Sequence, residues 1–201
     1  MFSLEDGIAA LKAGALVVYP TETFYGLGAD PFSATALKLL FAAKARDAER
    51  PVGLIASDTA MAFSIAREIS GAARRLADAF WPGPLTLVLP ARDGFAPELA
   101  SADGVAVRVS AHPIARALAA GLGKPITATS ANASGEAPAT TIAEARSAFG
   151  EKVKVYLEGG KLTAPLPSTV VAFNKEEVKM IRLGAIAKNQ IAAVIASGML
   201  K

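Results

Sequence analysis

The chain of 201 residues has no cysteine, one histidine and one tryptophan. Without cysteine there is no disulfide framework, thiol nucleophile, iron–sulfur cluster or cysteine-bound zinc. With His112 as the single imidazole, a site built on two histidines is excluded, and any Ser–His–acid triad would have to pass through that residue. Charge of one sign is also scarce: 21 Lys+Arg against 18 Asp+Glu leave a net charge of +3. With a pI of 9.2, this weak field permits nucleotide or RNA binding without requiring either. Long apolar runs are missing although 52% of the residues are apolar and the mean hydropathy is +0.38. The longest, around positions 9–15 and 190–200, fall well short of the roughly 20 apolar residues of a membrane-spanning helix. The opening MFSLEDG is acidic and lacks the basic flank of a signal peptide. The expectation is a cytoplasmic protein, with no membrane contact, folded as one domain.

What is present alternates between apolar strand patterns and capped helical ones. Strands are expected at 15–19, 24–29, 52–56, 85–89, 105–109, 126–129, 153–157, 169–173 and 178–182. Helices are expected at 3–13, 34–44, 59–67, 70–80, 113–120, 141–149 and 188–197. Ser3 and Ser33 supply N-caps, Pro113 opens a helix, and Trp81-Pro82-Gly83-Pro84 stops one. The alternation, with strands running consecutively near the end, predicts an α/β domain around a mixed sheet.

Four polar segments interrupt strand ends, where α/β sheets bind ligands. In Tyr19–Gly28 the hydroxyls of Thr21 and Thr23 suit a small polar ligand, or equally cap a tight turn. Lys44-Ala45-Arg46, followed by Arg50-Pro51, suits a phosphate, although a helix C-terminus also favours cations. Thr127–Gly135, with Ser130 and Asn132, could form an anion nest or an ordinary Ser/Asn loop, and it lacks a Walker ending. Pro167-Ser168-Thr169 precedes Arg182. Arg108, like Arg182, is a charge in an apolar strand, which either faces solvent from an edge or points into a site. For His112 and Trp81, capping and packing are the simpler roles.

Taken together these segments resemble the YrdC-like family of threonylcarbamoyladenylate synthases. The resemblance is carried by YPTETFYGLGAD (19–30), AKAR…RP (43–51), FWPGPLTLVL (80–89), VAVRVSAHP (105–113), TSANASG (129–135), STVV (168–171) and IRLGAI (181–186). The motifs occur in the family's order and span nearly the whole chain, as a single YrdC-like domain over residues 1–201. The resemblance implies a twisted open mixed sheet flanked by helices, with a concave basic cavity. It implies condensation of L-threonine, bicarbonate and ATP to threonylcarbamoyl-AMP with release of pyrophosphate. A partner transferase would then modify adenosine 37 of tRNA.

By motif, Thr21, Thr23, Ser130 and Ser168 would hold threonine. Lys44, Arg46, Arg50, Arg108, Asn132, Thr140 and Arg182 would line the ATP side. Mg²⁺ would come with the triphosphate, with no metal ligand from protein side chains. Such phosphoryl chemistry depends on positioning and charge neutralisation, and so fits a chain poor in Cys and His. The chain departs from the family pattern at Arg50 (Asn), Ile55 (His), Pro167 (Glu) and Leu183 (Pro), and in 138–141, where Ser-Pro-Thr is blurred. Two other readings stay open: a YrdC-like module that binds tRNA or double-stranded RNA without catalysis, and a diverged nucleotide-dependent carbamoyl or acyl transferase.

Overall fold

A computed structural model describes residues 1–45, 51–163, 166–175 and 177–197. In chain order its elements are α1 (Leu4–Lys12), β1 (Val17–Tyr19), β2 (Gly26–Gly28), α2 (Ala34–Lys44), β3 (Gly53–Ala56), α3 (Thr59–Ser64), α4 (Gly71–Phe80), β4 (Leu85–Leu89), β5 (Ala100–Ser101) and β6 (Gly104–Val109). They continue with α5 (Pro113–Leu122), β7 (Ile126–Ser130), α6 (Ile142–Phe149), a 3₁₀ turn at Gly150–Lys152, β8 (Val155–Tyr156), β9 (Thr169–Asn174), β10 (Glu177–Arg182) and α7 (Lys188–Ser197). The helices begin where their caps lie. Ser3, Ser33, Ser70 and Thr141 accept from backbone amides of the first turns of α1, α2, α4 and α6, and Ser3 and Thr141 form full capping boxes with Asp6 and Glu144. These side chains satisfy amides that a first turn leaves without partners.

The strands form one mixed sheet in the order β10-β9-β4-β6-β3-β7-β2-β1-β8, with β5 paired to β6. The pairs β1–β8, β3–β6 and β4–β9 are parallel and the other six are antiparallel. The mixed α/β sheet expected from the strand pattern is thus present.

Side-chain alternation along the strands divides the sheet into two faces. On one face Leu54, Leu85, Leu87, Val105, Val107 and Val171 pack in a core with Leu40 of α2, Leu76 of α4, Phe149 of α6 and Ile191 of α7. On the other, Val17, Tyr19, Ile55 and Ile126 pack against Leu11 of α1 and Leu118 of α5. Arg108 is opposite Ile55 in the parallel β3–β6 register, so it shares this second face. On that face, beside the α1–α5 layer, the sheet carries Gly53, Ala106 and Ala128. Gly53 is opposite Ala128, and a methyl added at Gly53 would lie 3.6 Å from the Ala106 methyl. These small residues hollow the sheet at its centre.

Two glycines of β2 have a steric cause. The ring of Tyr19 lies across the strand, and a Cβ would come within 2.8 Å of its Cζ at Gly26 and 2.9 Å of its Cε1 at Gly28. The Tyr19 hydroxyl donates to Thr127 O at 2.8 Å and locks the ring there. Burial raises its pKa far above the ordinary value, the dominant cause over Arg108, which lowers it, and Glu22, which raises it. The hydroxyl therefore stays a neutral donor.

Candidate active site

The hollow is a cleft of about 340 Å³. Its polar lining is Thr21, Thr23, Thr86, Arg108, Ser130, Ser168 and Arg182, with Thr129 and Tyr19 alongside and Ile55 and Val170 on the apolar side. Six residues singled out from sequence therefore meet here: Thr21, Thr23, Ser130, Ser168, Arg108 and Arg182. β6 lies inside the sheet and Arg108 is only 7% exposed, so it points into the site rather than to solvent.

Arg108 is buried because a counter-charge meets it. Its Nη1 is paired with the Glu22 carboxylate, and its Nη2 donates to Thr23 Oγ1 at 3.2 Å. The second Glu22 oxygen accepts from the Ser110 hydroxyl, which itself accepts from His112 N at 3.2 Å. One carboxylate thus ties the turn after β1 to the end of β6 and the start of α5.

Across the cleft, Ser168 Oγ and Thr86 Oγ1 are 2.8 Å apart. Arg182 donates to Ser168 O from Nε (3.2 Å) and Nη2 (2.9 Å), and from Nη2 to Ser168 Oγ at 3.0 Å. The two hydroxyls carry two hydrogens and use one between them, so one remains for an acceptor in the cleft. The pKa of Arg182 is lowered, first by desolvation and then by the charge of Arg108. Two guanidinium groups close enough to repel across one cavity are a ready place for an anion.

The other expected residues are placed differently. Lys44 is 3% exposed, and its ammonium donates to Ser130 O (2.6 Å) and Asn132 O (2.7 Å). It clamps the loop after β7 to the end of α2. Asn132 Nδ2 donates to Ala133 O and Glu136 O, while its Oδ1 is buried with no hydrogen-bond partner. Thr140 Oγ1 and N both donate to Glu144 in the cap network of α6. None of the three borders the cleft. The loop after β7 is also no open nest: the amides of Ala131, Asn132, Ser134 and Glu136 already donate to Tyr25 O, Ser130 O, Lys44 O and Ala133 O. Arg46 and Arg50 lie outside the described residues.

Sequence reasoning missed Glu22, Ser110 and Thr86. A signal existed for Glu22: an arginine within an apolar strand needs a buried partner, and the first polar segment contains one carboxylate before Asp30. Among the described residues no three of His, Asp and Glu gather as a metal cage, and no helix is long and apolar enough to cross a membrane.

His112 caps α5, its Nδ1 accepting from Ile114 N at 3.3 Å. Trp81 packs in the core and donates from Nε1 to Leu85 O at 2.7 Å. Desolvation is the largest influence on His112 and lowers its pKa below the ordinary 6.5, against an opposing pull from Glu22. The unfolded chain therefore takes up this proton at a higher pH than the folded one. The stabilisation is full above about 6.5 and is lost as pH falls through the lower folded value. Urea denaturation of His112→Asn, which keeps a cap but does not titrate, should show a flatter stability profile than the parent between about pH 7 and 5.

The Sua5/YciO/YrdC family model, described as "Telomere recombination", matches residues 9–184. A threonylcarbamoyl-AMP synthase of Thiobacillus denitrificans is 42% identical over 164 residues, 81% of this chain and 87% of that protein. The Pyrococcus abyssi threonylcarbamoyl-AMP synthase is 37% identical over 187 residues, 92% of this chain and 55% of that longer protein. The crystal structure of P. abyssi Sua5 complexed with L-threonine superposes with a TM-score of 0.89 at 35% identity, covering 97% of this chain and 58% of that one. E. coli YciO shares the fold at a TM-score of 0.82 and 22% identity, over 94% of this chain and 92% of that one.

Proposed function

Because the chain belongs to the Sua5/YciO/YrdC family, we propose that it is a threonylcarbamoyl-AMP synthase that joins L-threonine, bicarbonate and ATP and releases pyrophosphate. The observation that carries the reading is the convergence of two guanidinium groups, Arg108 and Arg182, with the hydroxyls of Thr23, Thr86 and Ser168 around one small cleft. An amino acid offers such a cleft both an ammonium donor and a carboxylate acceptor. The threonine-bound relative is the support for threonine among amino acids.

In the proposed sequence, the threonine amine in its neutral form attacks the carbon of bicarbonate, and water leaves to give a carbamate. A carbamate oxygen then attacks the α-phosphorus of ATP, and the Pα–O bond to the β-phosphate breaks with pyrophosphate leaving. Negative charge gathers between the amino acid and the phosphates, where Arg108 and Arg182 lie, and fixed cations lower the barrier there. Thr21, Thr23, Ser130 and Ser168 are assigned to threonine. The ATP side is assigned to Arg46, Arg50, Arg108 and Arg182, with Lys44, Asn132 and Thr140 shaping the adjoining loops. The triphosphate carries its own Mg²⁺ in this scheme. The product would pass to a tRNA-modifying transferase acting at adenosine 37, in the cytoplasm.

The test is pyrophosphate release by the purified protein. Release from ATP that requires both threonine and bicarbonate is expected. No release, together with RNA binding that weakens steeply with salt, would replace this reading by an RNA-binding module.

A further inference from the structure

We propose that Glu22 is a positioning residue that, through Arg108, fixes the Thr23 hydroxyl as a hydrogen-bond acceptor for the ammonium group of the amino acid. The inference rests on the reading of the cleft as an amino-acid site and adds a residue that borders it from behind. Thr21 and Thr23 line the cleft, while the Glu22 carboxylate is turned to Arg108 and Ser110.

Counting hydrogens gives the polarity of Thr23. Thr21 Oγ1 is 2.7 Å from Phe24 O, which can only accept, so Thr21 has already donated its one hydrogen. Thr21 Oγ1 also accepts from the amides of Thr23 (3.1 Å) and Phe24 (3.2 Å), and it lies 2.9 Å from Thr23 Oγ1, a contact that needs a hydrogen only Thr23 can still supply. Thr23 Oγ1 also accepts from Arg108 Nη2. With its hydrogen directed to Thr21 and one lone pair held by Arg108, Thr23 keeps one lone pair and no hydrogen for a ligand. It can bind an N–H and cannot bind a carboxylate. Thr86 and Ser168, on the opposite wall, have the reverse polarity and offer a hydrogen.

Glu22 maintains this arrangement. Its carboxylate holds Arg108 Nη1 and is itself held by the Ser110 hydroxyl, whose oxygen accepts from the His112 amide. Without that charge, Arg108 keeps only the weaker bond from Nη2 to the neutral Thr23 oxygen against a swing towards an incoming carboxylate or phosphate, and the swing releases Thr23 to rotate. The ammonium would also lose the negative charge behind the acceptor.

The test uses Glu22→Gln, which keeps the shape of the side chain and removes the charge, in the full chain with ATP present. Calorimetry should show L-threonine binding weakened about tenfold, the size of one charge-assisted hydrogen bond. Binding of 3-hydroxybutanoate, which has hydrogen in place of the amino group, should be unchanged or tighter, because Arg108 gains freedom to meet its carboxylate. In a Thr23→Val background, where the acceptor is already gone, adding Glu22→Gln should change threonine affinity less than twofold. Equal losses for both ligands, or additive losses with Thr23→Val, would show that Glu22 only supports the fold and overturn the proposal; no loss would overturn it too. Parent protein that fails to bind threonine would instead overturn the amino-acid reading of the cleft.

Discussion

Replacing Arg108 by methionine should lower threonine-dependent pyrophosphate release by about 10³-fold, the effect of removing a fixed charge from a developing anion. The same change should cost stability, by about 3 kcal/mol, because the Glu22 carboxylate is left mostly buried without its cation. The two losses have different origins and can be separated. The Arg108 side chain is 9% exposed and that of Glu22 16%, so desolvation is substantial for both. Adding Glu22→Gln to Arg108→Met removes the unpaired charge and leaves a neutral amide that can still bond Ser110. Urea denaturation of the double variant should recover most of the stability, while pyrophosphate release stays as low as in the single variant. Turnover within threefold of the parent in Arg108→Met would show that the guanidinium does not serve the reaction. A double variant no more stable than the single would show that the pair is not what holds Glu22 in place.

Local chemistry made most of the fold legible. α2 and α7 occupy the predicted residues because Ser33 marks the start of α2 and the apolar spacing carries both helices. The expected strands are all present: β1, β2, β3 and β8 are shorter by a residue or two at their ends, β4 has the expected bounds, and β6, β7, β9 and β10 are longer by one residue. β5 and the 3₁₀ turn were not read, since segments of two and three residues are too short to show a period. Site residues divide on a different ground. Thr21, Thr23, Ser168 and Arg182 lie at strand ends that open on the cleft, as strand-end reasoning requires. Lys44 could have been excluded from the lining: Ala36, Leu37, Leu40, Ala43 and Lys44 form one buried stripe of α2, so at i+4 from Leu40 the lysine must turn inwards. Its ammonium then needs acceptors, which the carbonyls of Ser130 and Asn132 provide. Thr86 was hidden for the opposite reason. In LTLVL it reads as one more β-former, and only the β4–β9 pairing brings it beside Ser168.

A single methyl group at Gly184, well outside the cleft lining, should disturb the site almost as much as loss of a contacting side chain. The segment 184–186 crosses the start of β9 at very short range. Gly184 N and Ile186 N donate to Thr169 Oγ1 at 3.1 and 3.0 Å, Thr169 Oγ1 donates to Ile186 O at 2.7 Å, and Ala185 N donates to Pro167 O at 2.9 Å. A Cβ on Gly184 would lie 2.1 Å from Pro167 O and 2.5 Å from Ser168 C. Both are backbone atoms, so no rotamer change relieves the clash and the two chains must separate. Separation breaks the Thr169 bonds and moves Ser168 away from Thr86 and Arg182. Gly184→Ala should therefore destabilise the protein by about 3 kcal/mol, at the upper end for overpacking. It should also raise the KM for threonine by about 30-fold with the KM for ATP much less affected, since one wall of the amino-acid site shifts. Gly123→Ala is the matched control: its Cβ meets nothing within 4 Å, but its φ is +77. Backbone strain at that helix end should cost about 1 kcal/mol and leave both KM values unchanged. If Gly184→Ala lost stability with threonine KM unaltered, the crossing would hold the fold together without setting the position of Ser168.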